Sequence, residues 1–192
     1  MPPEEVDIAG EVTRLLRAAR AGAPDALGGV FPLVYDDLRR LAQRQLAREH
    51  GERTLQPTAL VHEAYFKLAG RGALDAVDRA HFLAVAAHAM RQVLVDHARH
   101  RTAAKRGGGW IRTTLSSGSW ASDFDAAELL ALDEALASLD ERQRQVVECR
   151  FFGGMEEGEI AAALGISERT VRRDWEKARA WLYRALYEAP PT

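Results

Sequence analysis

Apolar residues recur at helical spacing along almost the whole chain, and no stretch alternates apolar and polar residues over a useful strand length. That pattern confines the fold to helices packed on helices. Ile8, Val12, Leu15, Leu16 and Ala19 form a first stripe, which Gly22 ends. Asp25 is placed to cap a second helix carrying Leu27, Val30, Val34, Leu38 and Leu41, with Pro32 expected to kink it or delay its start. In "ERTLQPTALVHEAYFKLAG", Pro57 takes a first helical position and Gly70 falls just past the end. The apolar set there is Leu60, Val61, Ala64, Tyr65 and Leu68. A long helix is expected from about Arg79 to Arg106, with Phe82, Val85, Ala86, Ala89, Val93 and Leu94 inward.

The segment "GGGWIRTTLSSGSWASDFDAA" breaks this period and, rich in Gly and Ser, reads as a linker. Helices near Ala126–Leu139 and Asp140–Phe152 follow; Asp140 and Gln143 form a capping pair, and Gly153-Gly154 ends the second. The expected fold is all-α: two small helical domains, residues 1–106 and 126–192, joined by a flexible linker over 107–125. A chain of 192 residues, 47% hydrophobic, can bury a modest core in each.

Net charge is only −2, but it is segregated. From Ala84 to Thr113, Arg91, Arg99, Arg101, Lys105, Arg106 and Arg112 face Asp96 alone. From Thr114 to Gly165 eleven acids face Arg142, Arg144 and Arg150. From Ile166 to Arg184 six Lys and Arg face three acids. Two basic blocks flanking an acidic one imply two polyanion contacts. Cys149 is the sole cysteine, so neither an intramolecular disulfide nor a cysteine-based metal site is available. "MPPEEVDIAG" is not a signal peptide, and no apolar run reaches membrane-spanning length, so a cytoplasmic chain without a membrane contact is expected.

The stretch "EIAAALGISERTVRRDWEKARAWL", from Glu159 to Leu182, has helix-turn-helix grammar. Gly165 suits a left-handed cap and Ser167 an N-cap. Val171, Trp175, Ala178 and Leu182 share one face, packed on Ile160, Leu164 and Ile166. Arg169, Arg172, Arg173, Glu176 and Lys177 lie opposite. Such a helix can place its N-terminal half in a major groove, where Arg pairs with guanine and phosphate. Arg169, Thr170, Arg172, Arg173 and Lys177 are the candidate DNA contacts. The bland reading is a solvated face, to which Asp174 and Glu176 lend weight.

Three pieces in order resemble the extracytoplasmic-function sigma factors of bacterial RNA polymerase, in the sigma-70 family. "LDEALASLDERQRQVVECRFFGGMEEGEIAAALGISERTVRRDWEKARAWL" is similar to their C-terminal domain, "TALVHEAYFKLAG" to the helix that docks on polymerase, and "AHFLAVAAHAMRQVLVDHARHRTAAKRGG" to the long promoter-melting helix. The resemblance implies a transcription initiation factor, not an enzyme, needing no cofactor or metal. Its partners would be core RNA polymerase, through the β′ clamp helices and the β flap, and promoter DNA, with an anti-sigma factor possible. Leu60, Val61, Glu63, Tyr65 and Phe66 would contact polymerase. Arg91, Arg99, Arg101, Lys105 and Arg106 would hold the downstream promoter element, and the loop Arg71–His81 would cup a flipped base. Trp110 and Trp120 would stack on bases or anchor on polymerase.

One departure stands out. Most relatives carry an acidic cluster just before the motif matched by "LVHEAY"; here Gln56, Pro57, Thr58 and Ala59 are uncharged. A phosphate on Thr58, in the first turn, would restore negative charge, so a Ser/Thr kinase joins the expected partners. Other classes remain open. His62-Glu63 superficially starts a zinc motif, but the position of its second histidine holds Phe66. His81, His88, His97 and His100 lie on one expected helix without a carboxylate at ligand spacing. A self-sufficient helix-turn-helix regulator would leave the N-terminal half without a purpose. A polymerase decoy would leave the basic blocks unused.

Overall fold

The computed structural model describes residues 7–23, 26–47, 55–71, 76–106 and 126–188. Apart from short turns those residues are helical, with no strand among them. α1 spans Ile8–Arg20, α2 Ala26–Leu46, α3 Pro57–Arg71 and α4 Arg79–Arg106. Asp7 caps α1, accepting from Gly10 N at 3.0 Å. Val12, Leu16 and Ala19 are buried as the stripe requires, but Ile8 is 46% exposed because it occupies the first turn, at the helix end. Gly70 lies inside α3 rather than past it. The Asp25 cap falls outside the described residues.

Pro32 neither ends α2 nor delays its start. A proline leaves the carbonyl four residues back unpaired. That residue, Gly28, is exposed, as is Pro32, so water can satisfy the orphan. Val30, Val34 and Leu38 then pack with Val12 and Leu16 of α1, Leu60 and Val61 of α3, and Phe82 and Met90 of α4 in one core.

The second half begins with α5, Ala126–Ala137, and α6, Glu141–Val147, which continues as a π-helical turn over Glu148–Phe152. Asp140 caps α6, accepting from Gln143 N at 2.9 Å. Gly153 N closes the π turn on Glu148 O at 2.9 Å, and Gly154, at φ +63°, turns the chain away. α7 spans Glu157–Leu164 and α8 Glu168–Tyr183, the latter continuing as a π turn to Glu188. Gly165, at φ +64°, takes the left-handed conformation that separates them, and Ser167 caps α8. Leu136, Leu139, Val147, Phe152 and Ala178 form a core with Trp175 and Trp181.

The halves are not isolated. Leu129 of α5 enters the N-terminal core. Ala84 of α4 joins Val146, Cys149, Ile160, Ala163 and Val171 in a third cluster. α4 therefore buries one side in the N-terminal core and another against α5, the π turn that follows α6, and α7. The linker, with Trp110 and Trp120, lies outside the described residues.

Candidate nucleic-acid interface

Val171 is fully buried at the start of α8, which fixes the helix's rotation. Arg169, Arg172, Arg173 and Lys177 consequently emerge into solvent. Thr170 is half-buried, its hydroxyl 2.9 Å from Ser167 Oγ at the helix cap. Glu157 of α7 accepts from Arg172 Nη2 at 2.8 Å and from Arg150 Nη1 at 3.0 Å. Those two hydrogen bonds, Arg172's the larger effect, hold its carboxyl below the usual range. Arg150 also lies 5.0 Å from the centroid of Trp175, bracing α8 from behind.

Asp174 corrects the sequence expectation. It is not part of a solvated face: only 1% exposed, it accepts from Arg142 Nε of α6 at 2.5 Å and from Arg173 Nε at 3.4 Å. Burial, the largest single effect, would raise its pKa; the hydrogen bonds and charges of Arg142 and Arg173 together outweigh it, and the net shift is downward. Asp174 is a tie to α6.

The candidates on α4 divide. Arg91 is 5% exposed, so it does not stand on the surface expected of a backbone contact. Its guanidinium bonds Asp133 of α5 and, at 2.7 Å, Glu148 at the end of α6. Glu148 also lies 2.7 Å from His88 Nδ1. Burial pushes the Glu148 pKa up, but His88 and Arg91 together draw it down further, so the net shift is downward. Arg99 is exposed yet bonds Asp133 at 2.9 Å. Arg101, Lys105 and Arg106 fall in the last turns of α4, their side chains outside the described residues.

The candidate polymerase contacts on α3 also divide. Leu60 and Val61 are fully buried, a correction: they hold α3 in the core, because the helix can offer partners only its outer face. Phe66 is 70% exposed and Glu63 half-buried on that face. Tyr65 packs on Phe31 of α2, ring centroids 4.5 Å apart, and lies 6.2 Å from Phe66. Thr58 is exposed, in a first turn that contains no acid. Of the loop expected to hold a base, residues 72–75 lie outside the described ones, while Asp78 caps α4 through His81 N at 2.8 Å. No group of three His, Cys, Asp or Glu among the described residues could hold a metal.

The profile of one family, described as ECF sigma factor, matches residues 9–188. The chain belongs to the ECF sigma factor family. Members direct RNA polymerase to promoters as transcription factors rather than enzymes. Among solved structures the chain is similar to CnrH, in complex with the cytosolic domain of CnrY. Identity there is 23%, coverage 94% of this chain and 99% of that one, and the TM-score 0.39. It is also similar to the sigma factor RpoE in complex with the anti-sigma factor NepR from Bartonella quintana. There identity is 18%, coverage 86% and 99%, and the TM-score 0.39. No curated protein sequence matches it. No described helix is long and apolar enough to cross a membrane.

Sequence reasoning missed the acids that engage this sigma-family chain's α4, Asp133 and Glu148. A signal was present. Ala84, Ala87, His88 and Arg91 fall at i, i+3, i+4 and i+7, a second stripe on α4 beside the one assigned to the core.

Proposed function

We propose that this ECF sigma factor reads the upstream promoter element with the outer face of α8, through Arg169, Thr170, Arg172, Arg173 and Lys177. The observation that carries this is their emergence opposite buried Val171 and Ala178. The basic end of α4, from Arg91 and Arg99 through Arg101, Lys105 and Arg106, holds the downstream element. The domain boundaries are those expected from sequence, 1–106 and 126–192, with the linker spanning the two promoter elements. Such a factor works where the polymerase is, in the cytoplasm.

Docking on the polymerase clamp falls to the outer face of α3, with Phe66, Tyr65 and Glu63 forward and Leu60 and Val61 behind. Thr58 is the switch: a phosphate on this exposed hydroxyl would add charge to a first turn that has none, favoured by the helix dipole. An anti-sigma partner is in keeping with the complexes in which both similar structures were solved.

Run-off transcription with core polymerase tests the reading. Arg172→Ala with Arg173→Ala should lower promoter-specific initiation while core binding survives; loss of core binding instead would show the face misassigned. For the switch, core affinity is compared among wild type, Thr58→Glu and Thr58-phosphorylated protein. Equal affinities would remove it.

A further inference from the structure

Two acids of the C-terminal half hold three side chains of α4. Asp133 takes Arg91 and Arg99; Glu148 takes Arg91 and His88. The Arg91 and Glu148 side chains are 6% and 5% exposed, so this pair is sealed between the halves. Arg91 and Arg99 are also cations that the proposed function assigns to the DNA backbone. Carboxylate and phosphate offer a guanidinium the same paired oxygen acceptors. An arginine engaged by one is withdrawn from the other.

The geometry points to an intramolecular latch, in which Asp133 and Glu148 occupy the phosphate sites of α4 and hold the free chain shut until promoter DNA and polymerase displace them. This rests on the DNA reading of α4. Arg91 can meet no phosphate while it is buried, so opening precedes binding. The seam is also poorly satisfied. Gln45 Oε1 and Arg91 Nε are buried without a hydrogen-bond partner. Gln45 Nε2 reaches Phe152 O only at 3.5 Å, and Arg44 Nη1 reaches Gly153 O at 3.4 Å. A permanent core pairs nearly all such atoms; a surface meant to part gains from leaving them wanting.

The test uses the full chain carrying Asp133→Asn and Glu148→Gln, which keep shape and remove charge. Small-angle X-ray scattering reads opening, and fluorescence anisotropy reads binding to a labelled single-stranded DNA of mixed sequence. The expected result is a larger radius of gyration and about tenfold tighter DNA binding, as the competent fraction rises. An unchanged radius overturns the latch. A larger radius without tighter binding overturns the claim that the acids occupy phosphate sites. Should the double variant lack helical circular dichroism, Asp133→Asn alone decides, since it leaves Glu148 on Arg91. About threefold tighter binding is then expected, and no change overturns the proposal. Wild-type failure in run-off transcription would remove the promoter reading, whereas an unchanged radius removes only the latch.

Discussion

On α8, Arg169, Arg172, Arg173 and Lys177 stand in solvent, and Arg172's partner Glu157 is 25% exposed itself. On α4, Arg91 is 5% exposed and its partner Glu148 is 4% exposed. Both helices looked alike as basic blocks. What separates them is whether the cation itself is sealed in: Arg173 pairs with buried Asp174 yet stays exposed, whereas Arg91 is buried with its acid. A pair on the surface contributes about 0–1 kcal/mol, because water solvates either partner nearly as well. A sealed pair is no great source of net stability, yet removing one member strands the other away from water. A cation count therefore locates possible DNA contacts; only the burial of each cation with its acid says which are available.

The largest effect expected from this contrast is on the seam. Glu148→Ala leaves Arg91 short of a buried partner and should lower unfolding stability in urea by about 3–5 kcal/mol. A loss below about 1 kcal/mol, the surface-pair range, would erase the distinction. On the α8 side, the comparable sensitivity lies in the backbone. Gly165→Ala forces a Cβ into a left-handed φ and should cost about 1–2 kcal/mol, read by the same titration. Arg172→Ala with Arg173→Ala should shift stability by no more than about 0.5 kcal/mol per site, despite its effect on initiation.

The same contrast predicts a dependence on pH. Glu148 has a folded pKa below its ordinary value of 4.5. Its contribution is thus present above 4.5 and lost as pH falls through that value toward the lower folded one. Urea midpoints should drop more steeply below pH 4.5 in wild type than in Glu148→Gln, and parallel curves would show that Glu148 is not the group responsible. Cys149, in the cluster bridging the halves, gives the finest readout. Burial first, then the Glu148 charge, pushes its thiol up to about 12. Iodoacetamide at about pH 8 should label the native chain slowly and the Asp133→Asn chain faster. Equal rates would mean that the cluster around Cys149 does not loosen when Asp133 is neutralised.

Much of the fold was legible because its signals are local. Asp140, Gly165 and Ser167 cap where the sequence puts them, and Val171, Trp175 and Ala178 face inward at helical spacing. What escaped was decided by contacts between distant segments. Leu60 and Val61 read equally well as core or docking surface until α3 is seen pressed onto α2 and α4. Asp174 shares the inward spacing of Val171 and Ala178, and the countercharge that lets an acid sit there comes from Arg142 on another helix, with Arg173 beside it. The burial of Arg91 escaped for the same reason: Asp133 and Glu148 lie more than forty residues downstream. At the site, exposure of the α8 cations followed from periodicity alone, whereas the fate of those on α4 did not.

The π turn at Glu148–Phe152 has a consequence for how the halves can evolve. Wider winding accommodates a residue that ordinary α-helical winding would not. Four α-helical residues turn the chain through about the same angle as these five, so deleting one residue there would restore that winding and leave the downstream chain near its present orientation. Phe152 would stay near the Trp175 cluster, and the wide bond from Gly153 N to Glu148 O would give way to ordinary helical pairing. The fit between the two halves can thus absorb a change of one residue in chain length at this turn, a kind of variation that point substitutions never supply and a single codon loss would.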